Sequence, residues 1–105
     1  MKMETSTTIE ITDNTFLRQY ECTKNGDLAK IEYSQQERKI FLTKFILPES
    51  LEDDKDFKNE FLRAVFLNIR DEKKIKVVPT HPTIAGFVRR NRNEFKEMLP
   101  VGISI

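Results

Sequence analysis

The sequence predicts an α+β domain: a mixed, mainly antiparallel sheet with a long helix on one face and the C-terminal helices on the other side. Its first half reads as short extended segments separated by polar turns, and the stretch from Asp56 to Lys73 switches to helical periodicity. A β-branched run, Ile75-Lys76-Val77-Val78, then precedes a second helical stretch. Strands followed by a strand, helix, strand, helix order is the pattern of a sheet that recruits its helices late. The 105 residues, 33% charged and 38% hydrophobic, suit one domain with a single core.

Taken in order, Met1 to Thr7 is polar and reads as a flexible end, leaving residues 8–105 as the domain. Ile9 and Ile11 alternate with Glu10 and Thr12, and the aromatic-rich run Phe16 to Cys22 has partial period-two character, so both are expected to be extended. Lys24-Asn25-Gly26-Asp27 is a strong hairpin signal, because Asn and Gly tolerate positive φ. Leu28, Ile31 and Tyr33 follow in a partner strand. Beyond the polar turn Ser34 to Arg38, the run Ile40 to Leu47 is a further strand, stopped by Pro48.

In the helix, Phe57, Phe61, Val65 and Ile69 recur at i+4, and Leu62, Phe66 and Leu67 widen the apolar arc. Glu52, Asp53, Asp54 and Asp56 lie at its start and Lys73-Lys74 at its end, the order the helix dipole favours. Pro79 closes the β-branched run, and Pro82 opens the next helix at a first helical position. Asn93 to Leu99 adds a final helical turn before Pro100.

Charge excludes some functions. Eighteen basic against seventeen acidic side chains leave a formal net charge of +1, which gives no overall footprint for nucleic acid or an anionic membrane, so neither is expected as a partner. The lone Cys22 has no disulfide partner, Met1-Lys2-Met3 lacks an apolar leader, and no apolar run approaches the roughly 20 residues of a membrane span; the expectation is cytoplasmic. One His and one Cys do not make a zinc site, and no Walker loop, nucleophile elbow or EF-hand spacing occurs.

Three segments carry a resemblance: Leu42-Thr43 leading to Leu47-Pro48-Glu49, then Lys76-Val77-Val78-Pro79, then Phe87-Val88-Arg89-Arg90 through Phe95 to Leu99-Pro100. Here the chain, from about Phe16 to Pro100, resembles the compact acetyltransferase-like members of the GNAT superfamily. The resemblance implies a GNAT-like fold and a V-shaped opening between two strands that holds acetyl-coenzyme A (acetyl-CoA). It also implies a glycine-rich loop at the long helix's start, whose amides bind the pyrophosphate. Relatives place a cysteine just after the last strand and His-Thr after Leu-Thr in the central one.

This chain departs at each point. Asp53 to Asn59 contains no glycine, and Asp53, Asp54 and Asp56 are expected to face the pyrophosphate with like charge, offset in part by Lys55 and Lys58. The alternative is that these carboxylates only stabilise the helix start. His81 stands where relatives have the cysteine; it is either a general base toward an amine or a hydrogen-bonding residue at the next helix start. Lys44 replaces the histidine, pointing into the cleft or into solvent. Arg90 or Arg92, within Arg89-Arg90-Asn91-Arg92, is the choice for a phosphate grip, or else these arginines answer the helix dipole. Glu94 and Glu97 are surface acids or a base.

The candidate set is therefore His81 for catalysis and Leu47, Lys55, Lys58 and Arg90 for the cofactor, with no metal. Two functions follow. One is an acyl-CoA-dependent N-acyltransferase acting on an unknown amine; the other is a non-catalytic GNAT-fold module that has lost the pyrophosphate loop and binds a protein partner.

Overall fold

The computed structural model describes residues 9–102, and the expected flexible end at Met1 to Thr7 lies outside the described residues. Strands β1 (Thr12–Asn14), β2 (Gln19–Lys24), β3 (Asp27–Gln36) and β4 (Lys39–Ile46) pair antiparallel in chain order, and β5 (Lys76–Pro79) joins β4 in parallel. A parallel neighbour needs a crossover, which helix α1 (Lys55–Asn68) and a π-helical turn (Ile69–Lys73) supply. Helices α2 (Pro82–Arg90) and α3 (Arg92–Phe95) follow β5. The α+β class and the mixed, mainly antiparallel sheet are as the sequence predicts.

The turns explain the register. Asn25 and Gly26 take φ of 54° and 84°, and this left-handed pair joins β2 to β3 with Lys24 opposite Asp27. The aromatic run is not a single strand, however. Asn14 Oδ1 accepts the Leu17 N–H at 3.0 Å and Arg18 has φ of 57°, so Thr15 to Arg18 turns and β2 begins only at Gln19. An Asn side chain acting as a local acceptor overrides the alternation of its neighbours.

Alternation elsewhere gives the sheet one apolar face. Tyr20, Cys22, Ala29, Ile31, Tyr33, Ile40, Leu42 and Val77 are buried on it, while Thr23, Lys30, Glu32, Ser34 and Lys44 lie on the opposite face, exposed or half-buried. Phe66 of α1 lies with its ring centroid 5.5 Å from Phe87 of α2 and 5.2 Å from Phe95 of α3. Those distances do not span a sheet, so the expectation of helices on opposite sides is corrected: α1, α2 and α3 share one core. A sheet with a single apolar face offers only one surface to cover.

One irregularity shapes the region near the predicted site. Tyr33 pairs with Leu42 but Glu32 pairs with Lys44, leaving Thr43 as an extra residue whose hydroxyl donates to the Glu32 carbonyl at 3.2 Å. This bulge brings both Leu42 and Phe45 to the core face. Pairing of β4 with β5 ends at Leu42 and Pro79, and β4 continues alone along β3 to Ile46. The Thr80 hydroxyl ties the fork by donating to the Leu42 carbonyl at 2.9 Å.

The other end of α1 is fixed by a cation in an aromatic corner. Lys73 reaches Asp13 at 2.9 Å and lies 5.0 Å from the Tyr33 ring centroid and 5.8 Å from that of Tyr20. The Tyr20 hydroxyl donates to Asn68 and that of Tyr33 to Asp13. Burial, with Asp13 adding to it, pushes both phenols well above their usual range, so they act as donors. No helix among the described residues is long and apolar enough to cross a membrane.

Candidate functional site

The start of α1 is built by side chains where the resemblance implies glycines. Asp54 is the N-cap, its carboxylate accepting the Phe57 N–H at 3.0 Å and the Lys24 ammonium at 2.6 Å. The Ser50 hydroxyl donates to Asp27 at 2.5 Å, so both ends of the β2–β3 hairpin turn hold the segment leading into α1. The Lys24 hydrogen bond, then that of the Phe57 amide, keeps the Asp54 carboxyl below its usual value of 3.8. A depressed folded value stabilises above the unfolded pKa and loses that contribution as pH falls through the folded one. At pH 7 wild type is therefore expected to melt above Asp54→Asn, which keeps a cap acceptor but loses the charge facing Lys24, with the gap closing below about pH 4; equal melting temperatures at pH 7 would remove the Lys24–Asp54 charge contact from this account.

Helical spacing then sorts the charges of α1. Positions 55, 58, 59 and 62 share one face, and 56 and 60 fall on another. Lys55, Lys58, Asn59 and Leu62 line an open cleft of about 400 Å³ whose other wall is Thr83 and Arg90 of α2. The Arg90 guanidinium lies back along α2: a Cβ added at Gly86, one turn earlier, would stand 3.4 Å from Arg90 Nη1, an ordinary contact. Three of the predicted cofactor residues, Lys55, Lys58 and Arg90, thus meet in one place.

The acidic run does not face them. Asp54 is turned to Lys24, and Asp56 lines a second cleft, of about 730 Å³, with Glu10, Glu21, Lys24 and Glu60. Asp53 is exposed and does not line the basic cleft. The helical twist and the Lys24 contact carry these carboxylates away from Lys55 and Lys58, so none of the three lines the cleft with those cations. None of Lys55, Lys58 and Arg90 forms an ion pair among the described residues.

His81 is the N-cap of α2. Its Nδ1 accepts the Thr83 N–H at 3.2 Å, and its ring meets Phe45 edge to face at 6.4 Å between centroids. Nδ1 is thus engaged as the acceptor at the cap. His81→Ala is expected to lower stability by roughly 1 kcal/mol, and His81→Asn, which keeps an acceptor at the cap, to restore most of it in a thermal melt. Equal losses in the two variants would show that the cap is not the role of this side chain.

Leu47 packs against the core beyond β4 and does not line the cleft. Lys44 is exposed opposite Glu32 on the uncovered sheet face. Cys22 is buried in β2, its thiol pushed up by burial and by Glu60. Glu94 pairs with Arg63, which also donates to Asn91 at 3.1 Å. Sequence reasoning missed Asn59, Leu62 and Thr83; the first two follow from Lys55 at i+4 and i+7, whereas Thr83 depends on how α2 docks. No protein-family model matches the sequence, and no curated protein matches it.

Proposed function

We propose that the chain is an acyl-CoA-binding protein of the N-acyltransferase type, with its ligand's phosphates held in the cleft between α1 and α2. The observation that carries this reading is the meeting of Lys55, Lys58 and Arg90 in a cleft lined by no carboxylate among the described residues. Ammonium and guanidinium donors suit phosphate oxygens, and the Thr83 hydroxyl adds a neutral donor. The fork where β4 and β5 part, with Phe45 and His81 beside it, is the place on this side of the sheet for the acyl arm. Acetyl-CoA, when bound, supplies an acyl thioester for an amine to attack. The chain's own part is to bind and orient; His81, held at its cap, is not assigned the proton.

A specific observation also favours a non-catalytic module of the same fold: His81 Nδ1 is engaged at the helix cap and the Cys22 thiol is buried in β2. Binding and turnover separate the readings. Acetyl-CoA at a hundred times its Kd should stabilise the protein by about 2.7 kcal/mol, seen as a raised melting temperature. No shift at millimolar ligand would sink the cofactor assignment. A shift with no acetyl transfer across a panel of primary amines would select the module.

A further inference from the structure

We propose that the α1–α2 cleft binds polyphosphate in its own right, through side chains alone, without needing the nucleoside or the acyl arm of a cofactor. The inference rests on the anion reading of this cleft but commits to different atoms and a wider ligand class. In a glycine-rich cradle, backbone amides at the helix end approach the phosphate. Here the helix end is already occupied from within: Asp54 takes the Phe57 N–H and is itself clamped by Lys24. A phosphate at that end would compete with a carboxylate that belongs to the fold.

The charge instead lies to the side of the helix. Lys55 and Lys58 are one turn apart on α1, Arg90 lies back over Gly86 from α2, and Thr83 lines the same cleft at the start of α2. Donors set on two helices around one cleft suit a chain of phosphates, each adding charge and acceptor oxygens, better than a single tetrahedral anion. Its space of about 400 Å³ leaves room for more than one phosphate group. Point charges and one guanidinium fork impose no demand on what the phosphate chain is attached to.

The test is a calorimetric titration of the full chain with orthophosphate, pyrophosphate and tripolyphosphate at fixed ionic strength, with acetyl-CoA in a separate arm. Tripolyphosphate is expected to bind at least tenfold more tightly than orthophosphate. Arg90→Lys should weaken it severalfold through loss of the fork, and Lys58→Gln should flatten its salt dependence. Asp54→Asn should leave tripolyphosphate affinity within twofold, since the cap takes no part in the contact; every variant is titrated at a temperature well below its own melt. Equal affinity for the three anions, or no binding of any, would overturn the inference. Acetyl-CoA binding without competition from tripolyphosphate would overturn it while leaving the proposed function standing. Tripolyphosphate binding without acetyl-CoA binding would support it and remove the proposed function.

Discussion

Phe66→Ala is expected to remove a large part of the protein's stability. Phe66 is fully buried and its ring meets those of Phe87 and Phe95, so it is the point at which α1, α2 and α3 are joined. Truncating a buried phenylalanine costs about 3–5 kcal/mol from lost transfer energy and the cavity left behind. A domain of this size holds about 5–15 kcal/mol in total, and each kcal/mol shifts its melting temperature by roughly 4–8 °C. A melt by circular dichroism should therefore fall by about 12 °C or more. Phe66→Leu, which keeps much of the volume, should lose markedly less. A small change in Phe66→Ala would mean that the helices are not held by this aromatic cluster, and with it the cleft between α1 and α2 would lose its foundation.

The second large effect is on binding. Lys55→Glu and Arg90→Glu each replace a cleft cation with an anion, and neither residue supports the core, both being exposed. Surface charge changes of this kind alter stability little. Their effect on an anionic ligand is different, because a unit charge about 4 Å away is worth on the order of 4 kcal/mol at an effective dielectric of about 20. Each reversal is expected to weaken acetyl-CoA at least tenfold, and the pair to abolish its thermal shift while the unliganded melt stays within a few degrees of wild type. Asp56→Lys, on the other face of α1, should leave the shift unchanged. Equal losses from Asp56→Lys and Lys55→Glu would place the ligand elsewhere.

Much of the fold was legible because the signals were local. Asn25-Gly26 specified its hairpin, Pro82 its helix start, and the i+4 series from Phe57 to Ile69 its buried face. Two features escaped such signals, one a property of the whole sheet and one a local contact that the alternation of its neighbours masks. The side on which α2 packs depends on the sheet having only one apolar face, a property of five paired strands. The turn at Phe16 depends on one carboxamide, Asn14, reaching the Leu17 amide.

At the site, the structure groups the cations that the sequence picked out and separates them from the neighbouring carboxylates. Lys55, Lys58 and Arg90 were chosen by type and position, and the structure brings them together. Asp54 and Asp56 were judged by proximity along the chain, yet successive helical residues point about 100° apart, and Lys24 from a distant hairpin decides where Asp54 turns. His81 was read both ways, and its contact with the Thr83 amide favours the cap.

The most direct measurement is a backbone amide correlation spectrum by NMR, followed as acetyl-CoA is added. The account predicts that the largest changes fall on Lys55 to Leu62 and Thr83 to Arg90, with the strands β1 and β2 nearly silent. Shifts centred instead on Cys22, Leu28 and Glu60 in the acidic cleft, or no shifts at millimolar ligand, would contradict it.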